Sequence, residues 1–459
     1  MSLAVAAALR LLGLGRESLW TDEGATIHYA RSLSAAFQDA NPPLYYLLLH
    51  FWIAAFGTTE VALRTPSVIF GVATVWIAYR LAADLVGRRA AVYGAALLAL
   101  STLQIYYSQE ARAYTLFVFL GVASMYALSH LIRRPGTRSG AAYAATSILL
   151  LYAHPYAILF IASQWAFVAL ATGFRVVNGR VLRAWLATQI VVLLAIAPWA
   201  ATLMLRGRLA PGYPLPPVSV GMLKETLLEY ANDNRLLAYL FVALVAGALI
   251  QHRLRPGGRS SNVLSLSWVQ VLLLTWVLGT IVLAAVASIA GPSIYYPRYT
   301  IAASVGLYVL VGHALDLIRP DRVSHAAAVV VGACMLIGLP AYYSHSHKEQ
   351  WREAAAIVDA RAEPGALVVF DGLPSSTVFD LYSERTDLDK QALPSDERAK
   401  SALAEWTITR QQFWLVHLHS AGPLDPRLEL AEGFQVAGSW PLVGLDLDLV
   451  RRTPERDQD

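Results

Sequence analysis

The stretch Val271-Leu-Leu-Leu-Thr-Trp-Val-Leu-Gly-Thr-Ile-Val-Leu-Ala-Ala-Val-Ala-Ser-Ile-Ala290 runs for twenty residues without a charged side chain. A helix of about 20 apolar residues crosses the hydrocarbon layer of a bilayer, which is roughly 30 Å thick. The whole chain shares this character, because 56% of its 459 residues are hydrophobic and only 15% are charged. Soluble proteins carry about 25% charged residues. The composition therefore predicts a polytopic α-helical membrane protein.

About eleven segments are candidate transmembrane helices, although several are short. They are 1–15, 66–86, 90–107, 113–132, 141–153, 156–174, 185–205, 235–250, 263–290, 300–318 and 326–343. The first contains Arg10 and rises only about 21 Å as a helix, so we expect it to be tilted into a thinned bilayer or to continue upstream. The apolar stretch 42–57 is too short for a span, and we expect an interfacial or re-entrant helix there.

Arginines predict the orientation of these helices. One alternating set of five short loops holds thirteen of them, at positions 88, 89, 133, 134, 138, 175, 180, 183, 253, 255, 259, 319 and 322. The positive-inside rule places such loops in the cytoplasm. The opposite set of loops would then face outward, as would the C-terminal domain. That outer set comprises 16–65, 108–112, 154–155, 206–234 and 291–299.

The last 111 residues differ from the rest of the chain. Residues 349–459 hold 20 acidic and 11 basic side chains, a net charge of −9, so the overall +4 leaves +13 for residues 1–348. The pI near 9 therefore reflects arginines in short loops and does not indicate a nucleic-acid binder. We predict two domains, a transmembrane domain over 1–348 with the outer loop 16–65, and an extracytoplasmic α/β domain over 349–459.

The pattern of the C-terminal segment predicts alternating helix and strand. A helix is expected over 350–361 and strands over 366–370 and 413–418, with 434–440 and 447–450 as edge strands. The single cysteine, Cys334, lies in an apolar run, so no disulfide framework is possible.

Asp22 and Glu23 follow the first apolar segment, in the predicted outer loop. A carboxylate there could serve as a general base for an incoming hydroxyl. The structural alternative is that Thr21 or Asp22 caps the following helix, with Glu23 favouring its dipole. Local sequence alone favours the cap.

The segment Tyr106-Tyr-Ser-Gln-Glu-Ala-Arg-Ala-Tyr114 places three polar side chains between apolar runs. Residues two apart on a helix do not face each other, so Glu110 and Arg112 would each need another partner. Charges at membrane depth are costly and indicate function. The planar fork of an arginine suits a phosphate, so Arg112 is a candidate phosphate ligand.

Tyr295-Tyr-Pro-Arg298-Tyr299 lies on the same predicted outer face. Arg298 is a second candidate for phosphate, and an interfacial arginine that extends towards the headgroups is an equally good interpretation. His50 and His154 are lone histidines, which are more often structural hydrogen-bonding groups than ligands. His345 and His347 lack the spacing of a metal site, and no metal is predicted.

The order of these motifs resembles the C-type superfamily of membrane glycosyltransferases. The resemblance is strongest to bacterial glycosyltransferase family 39, relatives of the protein O-mannosyltransferases and of the lipid A aminoarabinose transferase. It covers the N-terminal third well and the remainder thinly. The matching stretches are Ser18-Leu-Trp-Thr-Asp-Glu23, Asn41-Pro-Pro-Leu-Tyr-Tyr46, Arg64-Thr-Pro-Ser67, Tyr107-Ser-Gln-Glu-Ala-Arg112 with Tyr114, and Tyr296-Pro-Arg298.

This resemblance implies an inverting transfer of a hexosyl or pentosyl group from a polyprenyl-monophosphate donor to a hydroxyl acceptor. It raises Asp22 to the expected catalytic base, with Glu23 beside it, and assigns the donor phosphate to Arg112 and Arg298. We expect further substrate contacts from Gln109, Glu110, Tyr114, His50, His154 and Tyr296. The expected partners are membrane lipids, the lipid-linked sugar and an acceptor that is a glycan, lipid or protein, with no cofactor beyond the donor and no nucleic acid.

The main alternative is a transporter or flippase for lipid-linked or small polar substrates. Such a protein would show internal repeats and spans broken at the midplane. The sequence shows neither, and its polar residues gather at one face instead. A sensor would need a cytoplasmic output domain, whereas every predicted cytoplasmic loop is about twelve residues or fewer.

Overall fold

The computed structural model describes residues 2–173, 175–206, 215–254, 267–370, 373–394, 398–419 and 433–453. The helices of its first 344 residues are α1 (Ser2–Leu11), α2 (Thr21–Ala30), α3 (Leu44–Phe56), α4 (Glu60–Val86), α5 (Arg88–Leu100), α6 (Thr102–Ser108), α7 (Tyr114–Arg133), α8 (Thr137–Ala153), α9 (Ala157–Gly173), α10 (Gly179–Leu205), α11 (Val220–Tyr230), α12 (Arg235–Leu254), α13 (Trp268–Ala290), α14 (Ile301–Leu317) and α15 (Asp321–Ser344). Short 3-10 turns occur at Ala35–Phe37 and Pro297–Thr300.

The polytopic helical fold is confirmed, with fewer long helices than predicted. Within the described ranges, six helices are long and apolar enough to cross a membrane: α4, α7, α10, α13, α14 with its preceding turn, and α15. Two bent pairs, α5 with α6 and α11 with α12, raise the count to eight at most. The predicted eleven included short segments, such as 1–15, where α1 has only ten residues and rises about 15 Å.

The predicted span 90–107 is broken. The break explains why a charged side chain, Arg10, is buried in the first apolar segment. Helices α5 and α6 meet at 59°, so the last carbonyl groups of α5 have no partner within the helix. Arg10 donates to two of them, Leu98 O and Ala99 O, at 3.3 Å each, and to Ser108 Oγ at 3.1 Å. Asn232 donates to the carbonyl of Leu100 at 3.0 Å. The bend directs the chain into the polar segment that precedes α7.

Close packing of α5 against α14 depends on two glycines. A Cβ atom at Gly312 would lie 2.5 Å from the carbonyl oxygen of Ala90, and one at Gly94 would lie 3.0 Å from that of Tyr308. Small residues allow such close approach of helix backbones in membrane proteins. Near the C-terminal end of α14, Arg89 forms an ion pair with Asp316.

The C-terminal segment forms a five-stranded mixed sheet. Its elements are α16 (Trp351–Arg361), β1 (Leu367–Phe370), α17 (Leu373–Phe379), β2 (Asp389–Ala392), α18 (Arg398–Thr407), β3 (Gln412–Leu418), β4 (Phe434–Leu442) and β5 (Leu445–Arg452). The strand order is β2-β1-β3-β5-β4, with β1 parallel to β2 and β3, and β5 antiparallel to β3 and β4. The buried residues Val369, Phe413, Leu415 and Val450 lie in the core of this sheet.

The small α/β domain is therefore confirmed, with one correction to its topology. The strand that contains 447–450 was predicted at an edge, but β5 pairs on both sides and only β4 is at that edge. The strand β2 was not predicted, because its sequence Asp-Lys-Gln-Ala is polar.

The chain divides into two compact units that are not contiguous in sequence. The first contains residues 1–12, 33–57 and 62–344, and the second contains 13–32, 58–61 and 345–459. The second unit thus combines the sheet domain with α2 and with both ends of the first long loop, which the sequence analysis assigned to the transmembrane domain.

Candidate functional site

In the first unit, motifs that are distant in sequence meet around Arg112. Its carbonyl accepts a hydrogen bond from Ser67 Oγ at 3.3 Å, and the Tyr45 hydroxyl lies 2.9 Å from the same Oγ atom. Tyr45, which follows the Pro-Pro pair, therefore contacts the Arg-Thr-Pro-Ser segment of α4, and that segment contacts the loop between α6 and α7. Arg112 is half-buried there.

The same region contains a carboxylate that the sequence analysis missed. Asp39 Oδ2 accepts hydrogen bonds from the Tyr46 hydroxyl at 2.5 Å and from Asn41 Nδ2 at 2.8 Å. Its Oδ1 accepts the backbone N–H of Ala40 at 2.7 Å. The sequence signal for Asp39 was its position two residues before Asn-Pro-Pro. The Asp39 carboxylate fixes Tyr46 and thereby the start of α3.

Aromatic rings from three separate segments of the chain form a continuous cluster in the first unit. Ring centroids of Tyr114 lie 4.5 Å from Tyr107, 5.4 Å from His154 and 6.4 Å from Tyr299. Tyr299 in turn lies 5.8 Å from Tyr296. Three predicted substrate residues, Tyr114, His154 and Tyr296, are thus brought into one cluster.

Arg298 lies over two rings of this cluster. The guanidinium carbon is 4.8 Å from the centroid of Tyr296 and 5.4 Å from that of Tyr299, within the range of cation–π attraction. Burial, and then the positive charges of Arg112 and Arg298, lower the pKa of His154 to about 3. Both arginines therefore act electrostatically on one imidazole, although they are 186 positions apart in the chain.

The environment of His154 also defines its tautomer. The backbone N–H of Tyr156 donates to His154 Nδ1 at 3.2 Å. Because Nδ1 accepts and the ring is neutral, its proton is on Nε2, so the imidazole can donate one hydrogen bond there. A neutral donor beside two cations suits an anionic ligand.

The remaining predicted substrate residues have other surroundings. The Gln109 amide donates to the carbonyls of Arg10 and Leu12 and accepts from the Tyr342 hydroxyl at 2.7 Å, so it connects α1 to α15. Glu110 is fully buried. His50 lies within α3, where its ring contacts Phe51 at 5.3 Å.

In the second unit, Asp22 lies in the first turn of α2 and is not its cap. The helix begins at Thr21, and the cap position is Trp20, whose side chain makes no capping hydrogen bond. Glu23 accepts the backbone N–H of Trp20 at 3.3 Å. The interpretation of Thr21 or Asp22 as the capping residue is therefore wrong.

Glu23 is fully buried and forms an ion pair with Lys348, with 3.4 Å between Oε2 and Nζ. Glu349 accepts two hydrogen bonds from Thr21, the first residue of α2: one from its backbone N–H at 2.8 Å and one from its hydroxyl at 2.5 Å. Burial chiefly raises the pKa of Glu349, and the negative charge of Asp22 adds to the increase. Asp22 thus lies beside two buried carboxylates, Glu23 and Glu349, and the ammonium group of Lys348 pairs with Glu23.

Comparison with known proteins agrees with this architecture. The chain superposes on ArnT from Cupriavidus metallidurans in the apo state with a TM-score of 0.68 and 14% identity, covering 98% of this chain and 97% of that one. The same ArnT bound to undecaprenyl phosphate gives a TM-score of 0.63 at 13% identity, with the same coverage. The chain therefore has the fold of ArnT. The fold expected from the resemblance seen in the sequence is thereby confirmed.

Further matches are consistent with the same fold. The archaeal oligosaccharyltransferase AglB from Archaeoglobus fulgidus, in complex with an inhibitory peptide and a dolichol-phosphate, matches with a TM-score of 0.57 and 12% identity, covering 91% of this chain and 69% of that one. The family model for dolichyl-phosphate-mannose-protein mannosyltransferases matches residues 40–202. None of the curated proteins matches the chain in sequence.

Proposed function

We propose that the chain is an inverting glycosyltransferase that moves a hexosyl or pentosyl group from a polyprenyl monophosphate to a hydroxyl acceptor. The observation that carries the proposal is the convergence of Arg112 and Arg298 on the neutral His154, within a cluster of tyrosines. Cationic donors next to a neutral N–H donor and aromatic faces match a phosphate with a sugar attached. The C-type fold, and the undecaprenyl phosphate bound by one ArnT structure, support a lipid-linked donor.

Arg112 and Arg298 hold the donor phosphate in this proposal. As the bond between the anomeric carbon and the phosphate oxygen breaks, the leaving polyprenyl phosphate gains one negative charge. Positioned guanidinium groups stabilise that charge more in the transition state than in the donor, which lowers the barrier. Tyr114, Tyr296 and His154 contact the sugar-phosphate, and Gln109 and Glu110 support the loop that carries Arg112.

Asp22 acts as the general base. Its carboxylate takes the proton of the acceptor hydroxyl while the hydroxyl oxygen attacks the anomeric carbon from the face opposite the phosphate, so the configuration inverts. Glu23 orients α2 through its bonds to Lys348 and Trp20 and does not receive the proton. The acceptor is a glycan, a lipid or a protein at the outer face of the cytoplasmic membrane, where the arginine distribution places these loops.

The test uses purified protein in detergent with a panel of polyprenyl phosphates that carry radiolabelled sugars, together with glycan, lipid and peptide acceptors. Wild-type protein is expected to remove the label from one donor, and Asp22→Asn to do so roughly a hundredfold more slowly or worse, because an amide cannot accept the proton. Glu363→Gln, an exposed carboxylate-to-amide change in the second unit, is the matched control.

Two results would contradict the proposal at different points. If the wild-type protein consumes no donor of the panel, the donor class is wrong. If Asp22→Asn keeps normal turnover while the wild type is active, the donor class stands and Asp22 is not the base.

A further inference from the structure

We propose that the C-terminal domain positions the catalytic helix, and that Glu349 is the positioning residue because it caps α2 from a distant part of the chain. This inference rests on the proposed role of Asp22. It assigns to residues 345–459 a part in the transfer reaction itself.

The first observation is that the side chain at the N-cap position of α2, Trp20, makes no capping hydrogen bond. The first N–H groups of a helix have no partner within the helix and need an acceptor from elsewhere. Trp20 occupies the cap position and offers no side-chain oxygen. Glu349, 328 residues away in sequence, accepts the N–H of Thr21 at 2.8 Å and its hydroxyl at 2.5 Å. The carboxylate also matches the positive end of the helix dipole.

The second observation is that Glu349 is itself fixed. It is only 8% exposed, and its Oε2 atom accepts the indole N–H of Trp351 at 2.5 Å. Trp351 is fully buried at the start of α16. The cap is therefore tied to the core of the C-terminal domain.

The third observation is that Lys348, the residue before Glu349, binds a second side chain in the first turn of α2. Lys348 Nζ is 3.4 Å from Glu23 Oε2, and both side chains are buried, with 3% and 0% of their surface exposed. Glu23 and Thr21 flank Asp22 in sequence. Consecutive residues of one segment, Lys348 and Glu349, thus fix the residues on either side of the proposed base.

The C-terminal domain holds the two ends of the first long loop as well. The Tyr382 hydroxyl accepts the N–H of Leu19 at 2.7 Å and donates to Glu60 Oε1 at 3.0 Å. Arg352 pairs with the same Glu60 oxygen at 2.5 Å and donates to the Arg16 carbonyl at 3.3 Å. Helix α17, which follows β1, packs directly against α2.

These contacts matter because proton transfer is sensitive to geometry. A displacement of about 1 Å in a catalytic group can cost roughly a hundredfold in rate. A helix whose first residue is held at its N–H and hydroxyl by a distant carboxylate loses part of its orientation when that carboxylate is removed. Loss of this cap is therefore expected to slow the chemical step and not to weaken donor binding, since the donor phosphate is assigned to Arg112 and Arg298 in the other unit.

The experiment compares Glu349→Leu with Glu349→Gln in the full-length protein. Leucine removes the acceptor, so kcat is expected to fall roughly tenfold to a hundredfold with the KM for the donor unchanged. Glutamine keeps an acceptor oxygen for Thr21 N–H and is expected to retain most of the wild-type kcat. Glu363→Leu and Glu363→Gln serve as matched controls at an exposed glutamate of the same unit.

Thr21→Val keeps the inference testable if Glu349→Leu fails to fold. The change removes one donor to Glu349 while keeping the branched shape, and a loss of a few-fold in kcat is expected. Normal kcat in both Thr21→Val and Glu349→Leu, or equal losses in Glu349→Gln and Glu349→Leu, would overturn the positioning role. If Asp22→Asn is also fully active, the proposed base fails with it. If Asp22→Asn is inactive, only the positioning inference fails.

Discussion

The two compact units hold their key charges in different ways. In the second unit, Glu23 is buried against Lys348 and accepts a backbone N–H. In the first unit, Arg298 lies over the rings of Tyr296 and Tyr299. A buried ion pair neutralises its charges and fixes a geometry, whereas ring faces hold a guanidinium while preserving its positive charge.

This difference corresponds to the roles proposed for the two units. A catalytic base needs a fixed direction, and the ion pair provides this by tying α2 to the segment that begins the C-terminal domain. A phosphate ligand needs positive charge and in-plane N–H donors, and a cation–π contact uses the flat face of the guanidinium. The following predictions test whether the two kinds of contact behave differently.

The largest effect is expected at the buried ion pair. Lys348→Met leaves Glu23 buried without its ammonium partner, which typically costs about 3–5 kcal/mol. For a unit of this size the apparent unfolding temperature should fall by roughly 10 °C, measured by thermal unfolding in detergent.

A double variant provides the control for this ion pair. Glu23→Gln added to Lys348→Met removes the uncompensated charge and is expected to recover much of the loss. Lys390→Met, which breaks the more exposed pair with Asp380, should change the unfolding temperature by only a degree or two, since exposed pairs contribute little. Equal effects of Lys348→Met and Lys390→Met would contradict the importance of burial.

The sequence predicted the fold well where the pattern is local. Apolar runs identified the long helices, and short hydrophobic runs identified β1 and β3. The break between α5 and α6 was missed because Leu100 and Ser101 lie inside an apolar run, and the bonds from Arg10 and Asn232 that stabilise the break come from distant segments.

The candidate site shows the same limit. Arg112, Arg298 and the surrounding tyrosines could be identified because charges and aromatic clusters stand out between apolar helices. The partners of α2 could not, since Lys348 and Glu349 are more than 320 residues from Glu23 and Thr21, which they bind, and look like surface residues in sequence. Asp39 was missed because its position two residues before Asn-Pro-Pro is a weak signal, and its bond to Tyr46 is visible only in the structure.

The next largest effect is expected at the two arginines. Ala at Arg112 or Arg298 should reduce turnover by roughly two to three orders of magnitude, the scale for loss of one positioned donor to a developing charge. Lysine at either position should restore activity only in part, because it lacks the planar fork. Release of label from the lipid donor measures both, with Arg385→Ala in the other unit as a control. Normal turnover in both alanine variants would remove phosphate binding from this cluster.

The smallest effect concerns the ionisation of His154. Its pKa in the folded protein, about 3, is below the value near 6.5 of an unperturbed histidine. The unfolded chain therefore binds a proton between these two values when the folded protein does not. The stability that this group contributes is complete above about pH 6.5 and is lost progressively as the pH falls through 6.5 towards 3.

Thermal unfolding of wild type and His154→Gln at several pH values tests this assignment. On going from pH 7 to pH 5, wild type should lose up to about 2 kcal/mol more than the variant, at 1.36 kcal/mol per pH unit. Parallel pH curves for the two proteins would show that His154 is not held neutral by its surroundings.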